Sequence, residues 1–233
     1  MKRIAILLAV VLLPVAVSAQ EASLADAPSV RHQKLIRGGR HELTPAFGVT
    51  INQKYNTDLL FQLSYEYHFY DFFSAGLEIG YAGVGFRTGQ GKIIGKMVDE
   101  YAQSSQNPTD AKFGRSGLGL LALAKVSFVP LAGKIVLGGK HLGYADIHLT
   151  AGVGFGTVSY YDWDNPPGSS SVAAMVGGGV RFFPIELIGL TFDVRDYMVL
   201  RKLSSTDKKA ELSQNPTFIF GVSFFLPEVK RGR

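Results

Sequence analysis

Near the C-terminus the chain reads Pro216-Thr217-Phe218-Ile219-Phe220-Gly221-Val222-Ser223-Phe224-Phe225-Leu226, with an apolar side chain at every second position. Side chains two residues apart lie on the same face of a β-strand. Phe218, Phe220, Val222, Phe224 and Leu226 therefore predict a strand with one wholly apolar face. Such a face is typical of a strand that contacts lipid.

The same stretch partly matches the C-terminal sorting signal that the outer-membrane insertion machinery recognises. Gly221 is followed by apolar residues at Phe224 and Leu226, although Ile219 stands where the signal usually begins with a polar residue. The insertion machinery is therefore one expected partner of the chain.

The N-terminus has the pattern of a secretory signal peptide. Lys2 and Arg3 precede the apolar run 4–17, and Ser18-Ala19 offers the small residues of a cleavage site. An uncleaved anchor helix is the alternative, but the run is short and Pro14 interrupts it. We predict a signal peptide over 1–19, a polar periplasmic leader over 20–39, a barrel over 40–227 and a tail over 228–233.

Seven further segments repeat the alternation, which predicts an all-β fold: an eight-stranded, antiparallel, up-and-down transmembrane barrel. The expected strands cover 40–52, 59–70, 74–86, 116–129, 144–160, 172–183, 189–201 and 216–226. Short and long connections alternate, as periplasmic turns and extracellular loops do. The link 130–143 is too long for a simple turn, so a short helix or an extra hairpin is expected there. In the loop 87–115, Ile93, Met97 and Tyr101 have the spacing of an amphipathic helix.

The second strand shows how the two faces differ. Its outer face would carry Phe61, Leu63, Tyr65, Tyr67 and Phe69, and its inner face Gln62, Ser64, Glu66 and His68. A soluble β-sandwich is the alternative, but it gives no reason for apolar residues on the outside of every strand.

Charged residues share the predicted inner faces, near the periplasmic ends of the strands. They are Glu42, Glu66, Glu78, Lys125, Asp146, Arg181, Asp193 and Arg195. Buried charges need partners, so we expect an ion-pair network that plugs the lumen. The other half of the lumen is expected to hold a small water-filled vestibule lined by Gly117, Gly119, Gly152, Gly154, Gly156 and Gly179.

The chain also resembles a known family. The resemblance is carried by Glu42-Leu43-Thr44-Pro45, Phe47-Gly48-Val49 and residues 129–134, 146–154, 177–183, 193–197 and 221–227. They are similar to the outer-membrane β-barrel domain family of gliding, predatory and social Gram-negative bacteria, which comprises small OmpA-like barrels. The resemblance implies a location in the outer membrane and a scaffold role in a cell-envelope assembly. Residues 130–143 depart from the family pattern.

No enzyme, cofactor or metal site is predicted. A lipid A deacylase would need serine, histidine and an acid together on the lipid-facing side, whereas His68 and His148 are expected in the lumen. The chain has no cysteine. Without Lys2 and Arg3, 22 of its 24 basic residues remain against 19 acidic ones, which does not favour nucleic acid.

The predicted function is that of a structural outer-membrane barrel; the alternatives are a small-solute channel and a surface adhesin. Expected partners are outer-membrane lipid, lipopolysaccharide, and periplasmic or surface proteins. Tyr160, Tyr161 and Trp163 are the candidate extracellular contact residues.

Overall fold

The computed structural model describes residues 37–51, 55–104, 115–137, 141–161, 170–201 and 211–226. They form eight strands and one helix, listed here in chain order: β1 His41–Thr50, β2 Asn56–Tyr70, β3 Phe73–Arg87, α1 Gly89–Ser104, β4 Arg115–Leu137, β5 His141–Tyr161, β6 Ser170–Ile185, β7 Ile188–Arg201 and β8 Glu211–Leu226. All eight predicted strands are confirmed, with most ends extended by a few residues.

The eight strands pair antiparallel in sequence order and close into a ring. The closing pair joins β1 to β8, where Phe47 lies opposite Phe220 and Leu43 opposite Phe224. Closure gives each strand a neighbour on both sides, so the sheet has no open edge at this seam. The predicted all-β, eight-stranded antiparallel barrel is confirmed.

The outside of the ring is apolar and the inside is polar at one end. Along β2, exposed and buried residues alternate: Phe61, Leu63 and Tyr65 are exposed, while Gln62, Ser64 and Glu66 are buried. Side chains as large as Leu77, Ile79 and Phe155 are 60% or more exposed. An apolar outer band around a polar interior is the arrangement of a barrel that crosses a membrane. The chain is an outer-membrane β-barrel protein.

The two ends of the barrel differ. The strands β2 and β3 are joined by a two-residue turn, as are β6 and β7, and the chain enters β1 and leaves β8 at this same end. We call it the turn end; it is the periplasmic side, because outer-membrane barrels place their short turns there. The opposite, extracellular end is the loop end.

The described part of the link 130–143 extends strands β4 and β5 themselves, so it is neither the short helix nor the separate extra hairpin that the sequence suggested. Strand β4 continues to Leu137 and β5 begins at His141, and the two pair from Leu131 opposite Ile147 to Leu137 opposite His141. Pairing between β3 and β4 starts only at Phe73 opposite Phe128. The β4–β5 hairpin therefore projects beyond the turn end of β3.

The amphipathic helix expected in the loop 87–115 is also present, as α1. Its first turn is capped by Thr88, whose hydroxyl oxygen accepts a hydrogen bond from the Gly91 backbone N–H at 3.1 Å. None of the helical residues that the structure describes forms a segment long and apolar enough to pass through a bilayer.

We expect Gly76→Ala to destabilise the barrel, because a methyl group there would collide with the Tyr65 carbonyl oxygen and the Glu66 backbone on β2. Overpacking of this kind costs about 1–3 kcal/mol of unfolding free energy. The measurement is urea unfolding of the protein refolded into vesicles. Gly133→Ala is the matched control, since nothing lies within 4 Å of its added carbon. Equal stability of both variants would contradict the close approach of β2 and β3.

Candidate functional site

The eight charged residues that the sequence places on inner strand faces all lie inside the barrel at the turn end. None is more than 4% exposed. Charges removed from water this completely are costly unless each one has a partner. The contacts of these side chains are therefore what decides whether this half of the barrel is stable.

A first set of pairs runs across β2, β3, β4 and β7. The Lys125 Nζ atom lies 2.8 Å from Glu66 Oε1 and 3.5 Å from Glu78 Oε2. Arg195 lies 2.5 Å from Glu78 through Nη1, and its Nε donates to Asp193 Oδ2 at 2.9 Å. Four of the eight strands are thus joined through the lumen as well as through the sheet.

A second set centres on Glu42. Its carboxylate accepts a hydrogen bond from Arg181 Nη1 at 2.9 Å, lies 2.7 Å from His68 Nε2, and accepts the Thr44 hydroxyl at 3.0 Å. His148 joins Asp146 to Asp193 of the first set, with Nδ1 3.4 Å from Asp146 Oδ1 and Nε2 2.9 Å from Asp193 Oδ1. Both histidines lie in the lumen at the turn end, as the strand phase predicts.

Two buried arginines of the network were missed by the sequence reasoning. Arg37, which falls in the predicted leader, pairs through Nη1 with Asp146 Oδ2, and Arg40 Nη2 donates to the Phe225 carbonyl oxygen at 3.1 Å. Both are 3% exposed. Burial lowers the pKa of the Arg37 guanidinium, and the Asp146 carboxylate acts in the opposite direction.

These arginines balance the charge of the lumen. The eight predicted residues comprise three cations and five anions, so the set has an excess of two negative charges. Arg37 and Arg40 bring the buried charges at the turn end to five of each sign. An excess of two buried acids predicts two further cations nearby. Arg37 and Arg40 lie just before the first strand, so the imbalance is the signal in the sequence that could have identified them.

The segment with the two arginines is held at the mouth of the barrel by its backbone. The N–H groups of Arg37 and Gly38 donate to Asp71 Oδ1 at 2.9 and 3.0 Å, and Gly39 N–H donates to the His68 carbonyl oxygen at 2.7 Å. Gly39 has φ 79°, a left-handed conformation that glycine adopts without strain. The turn directs Arg37 back into the lumen.

Aromatic rings close the mouth around this segment. Phe225 and Phe183 are nearly fully buried, with their ring centroids 5.4 Å apart. The guanidinium carbons of Arg40 and Arg181 lie 5.3 and 5.6 Å from the Phe225 ring centroid. Cations at this distance over a ring are attracted to it, so the seal combines apolar packing with the buried charges.

The loop-end half of the lumen is filled, so the predicted water-filled vestibule is wrong. Apolar side chains from seven of the eight strands pack there: Leu60, Ala82, Leu118, Leu121, Leu123, Val158, Ala173, Met175, Tyr197, Val199 and Ile219. We call this set the apolar layer. Beside Ser116, Leu118 and Asn215 lies a void of about 10 Å³, roughly the volume of one water.

The glycines expected to line a vestibule make room for these larger neighbours instead. A carbon added to Gly156 would lie 3.2 Å from Leu121 and 3.4 Å from Val199. Small residues facing large ones fill a narrow barrel closely. The number of inward-facing glycines therefore does not measure the open space in the lumen.

Tyr197 connects the apolar layer to the ion-pair network. Its ring is fully buried, and its hydroxyl donates to Gln62 Oε1 at 2.9 Å or to Glu78 Oε1 at 2.8 Å. A buried tyrosine needs such a partner for its hydroxyl group. The two halves of the lumen are thus in direct contact.

The loop end carries a small polar cluster above the apolar layer. Asp58 is fully buried; Oδ2 accepts the Leu118 N–H at 2.9 Å and Oδ1 accepts Asn56 Nδ2. Arg115 Nη1 donates to Asn56 Oδ1 at 2.7 Å. In the described part of the chain, no group of three or more His, Asp or Glu side chains is arranged to hold a metal ion.

The candidate extracellular contact residues are placed in part. Tyr160 packs against the apolar layer, and the Tyr161 ring lies 5.2 Å from the Arg115 guanidinium carbon. Both are half-buried, and their role as extracellular contact residues stays a prediction. Trp163 lies outside the described residues.

The domain limits stay predictions. Residues 1–36 and 227–233 lie outside the described residues, and with them most of the expected leader, the signal peptide and the tail.

Comparison with known proteins gives similar folds at low sequence identity. No protein-family model matches the sequence, and no curated protein matches it significantly. Among solved structures, the N-terminal β-barrel domain of Pseudomonas aeruginosa OprF is similar with a TM-score of 0.49 and 11% identity, over 81% of this chain and 98% of that one. Ail, the attachment invasion locus protein of Yersinia pestis, is similar with a TM-score of 0.38 and 12% identity, over 81% and 99%.

The outer membrane protein OprG from Pseudomonas aeruginosa is similar with a TM-score of 0.38 and 10% identity, over 82% of this chain and 97% of that one. With TM-scores below 0.5 and identities of 10–12%, these similarities carry no property of those proteins over to this chain. The fold rests on the chain's own closed ring of strands.

We expect Arg37→Met to destabilise the barrel, because it leaves the buried Asp146 carboxylate without its guanidinium partner. Removing one member of a buried ion pair costs about 3–5 kcal/mol. The double variant Arg37→Met/Asp146→Asn should recover part of the loss, since it leaves no unpaired carboxylate there. Urea unfolding measures both. A single variant as stable as the unaltered protein would show that Arg37 does not occupy the lumen.

Proposed function

We propose that this protein is a closed structural barrel of the outer membrane, which anchors or organises a cell-envelope assembly rather than passing solutes. The observation that carries the proposal is the double filling of the lumen. A charge-balanced ion-pair network occupies the turn end, and the apolar layer occupies the loop end. An eight-stranded barrel is narrow enough for side chains to fill it.

The network supports a plug more than a gate. A gate needs a group that can move aside at moderate cost, whereas Arg195 and Lys125 each contact two buried carboxylates. Moving either cation would take an ion-pair partner away from two buried acids in a site that excludes water. The apolar layer lies above them and would have to move as well.

A barrel without a channel acts through the surfaces that it presents. Its outer band contacts outer-membrane lipid, and the proposed partners are lipopolysaccharide, the insertion machinery during assembly, and periplasmic or surface proteins. The resemblance to the barrel family of gliding, predatory and social bacteria supports the scaffold role. We propose no catalytic activity and no nucleic-acid partner.

Planar-bilayer conductance of the refolded protein tests this function directly. We expect no steady channels, because two filled layers block the lumen. A gel that compares heated and unheated samples runs beside it, since a folded barrel migrates differently from the unfolded chain. Steady, ion-selective channels from a sample that shows the folded band would contradict the plug and favour the solute channel.

A variant pair separates a plug from a gate. If the network is a plug, Lys125→Met/Arg195→Met lowers the free energy of unfolding, by about 3–5 kcal/mol for each cation removed, and adds no conductance. The exposed lysines of α1 provide the control, Lys92→Met/Lys96→Met, which removes the same number of charges. Raised conductance with little loss of stability in the lumen variant would identify the network as a gate.

A further inference from the structure

The helix α1 carries an apolar stripe with no partner in the described part of the chain. Ile93, Met97 and Tyr101 lie one turn apart and are 63, 62 and 67% exposed. Three large apolar side chains in a row are costly to leave in water. A surface of this kind usually marks a contact with lipid or protein.

Buried glycines on another side of α1 show which side of the helix faces the barrel. Gly91 and Gly95 are buried, and a carbon added to Gly91 would collide with the Tyr55 carbonyl oxygen. At about 100° per residue, Met97 lies roughly 120° around the axis from Gly91. The small residues therefore face the rim of the barrel, and the apolar stripe points away from it.

The helix α1 starts where the lipid-facing surface of β3 ends. Leu77, Ile79, Tyr81 and Phe86 form the outward face of that strand and are 55–61% exposed. Phe86 is the last of them at the loop end, and α1 begins three residues later. Only Arg87 and Thr88 separate Phe86 from the first residue of α1, so the helix starts at the boundary of the lipid-facing band.

Charged residues of both signs lie on one flank of the helix, between the apolar stripe and the glycines: Lys92, Lys96, Asp99 and Glu100. Lys92 and Lys96 are exposed, and Lys96 pairs weakly with Glu100 at 3.7 Å. Lysines beside an apolar stripe can extend to anionic lipid headgroups while the stripe enters the acyl region.

We propose that α1 lies in the outer leaflet of the membrane, with Ile93, Met97 and Tyr101 inserted among the lipids. The occupant of the stripe is the same lipid that surrounds the barrel, and its apolar contact gives the helix a fixed place beside the rim. The helix then lies along the membrane surface at the extracellular end of the barrel.

The absence of cysteine from the chain allows a direct test with single labels. Met97→Cys, Asp99→Cys and Ile79→Cys are each labelled with a solvent-sensitive fluorophore. Met97 and Asp99 lie on nearly opposite sides of α1, and Ile79 on β3 is the lipid-facing reference. The proteins are refolded into phosphatidylcholine and phosphatidylglycerol vesicles, and the folded band is checked for each.

We expect the label at position 97 to emit at shorter wavelength than that at 99. It should be quenched by lipids with brominated acyl chains nearly as strongly as the label at 79, and iodide in the water should quench it several-fold less than the label at 99. Equal iodide quenching at 97 and 99 would overturn the proposal. So would protection of position 97 from iodide without quenching by brominated lipid, because that result would place the stripe against protein.

Discussion

The structure depends on one constraint, which is that backbone N–H and C=O groups must find partners where no water is present. A sheet meets this requirement in hydrocarbon only when it closes on itself, as β1 and β8 do here. Closing after eight strands makes the barrel narrow. Every inward side chain must then either fill space or be paired, and the lumen shows both solutions.

The two solutions occupy different halves of the barrel. At the turn end, five cations and five anions are buried together, and Arg37 and Arg40 complete that balance from outside the strands. At the loop end, glycines and large apolar side chains interlock. Tyr197 belongs to both halves, since its ring lies in the apolar layer and its hydroxyl reaches Glu78. The same side chains therefore stabilise the barrel and block its lumen.

A filled barrel leaves its function to its surfaces. At the extracellular end, α1 follows directly after β3 and presents an exposed apolar stripe. At the periplasmic end, the β4–β5 hairpin projects beyond β3 and makes an apolar groove of about 310 Å³ lined by residues such as Leu131, Ile147 and Phe182.

The sequence by itself determined the strands and the direction of each side chain, because alternation along a strand is a local property with a period of two. Phe61 outside, Glu66 inside and the helical spacing of Ile93, Met97 and Tyr101 follow from it. Only the tertiary structure decided which charges meet, how far the β4–β5 hairpin extends, and that Arg37 turns back into the lumen. It also replaced the expected vestibule with packed side chains such as Leu121 and Met175. These outcomes depend on the stagger and width of the closed ring, which bring together residues from distant strands.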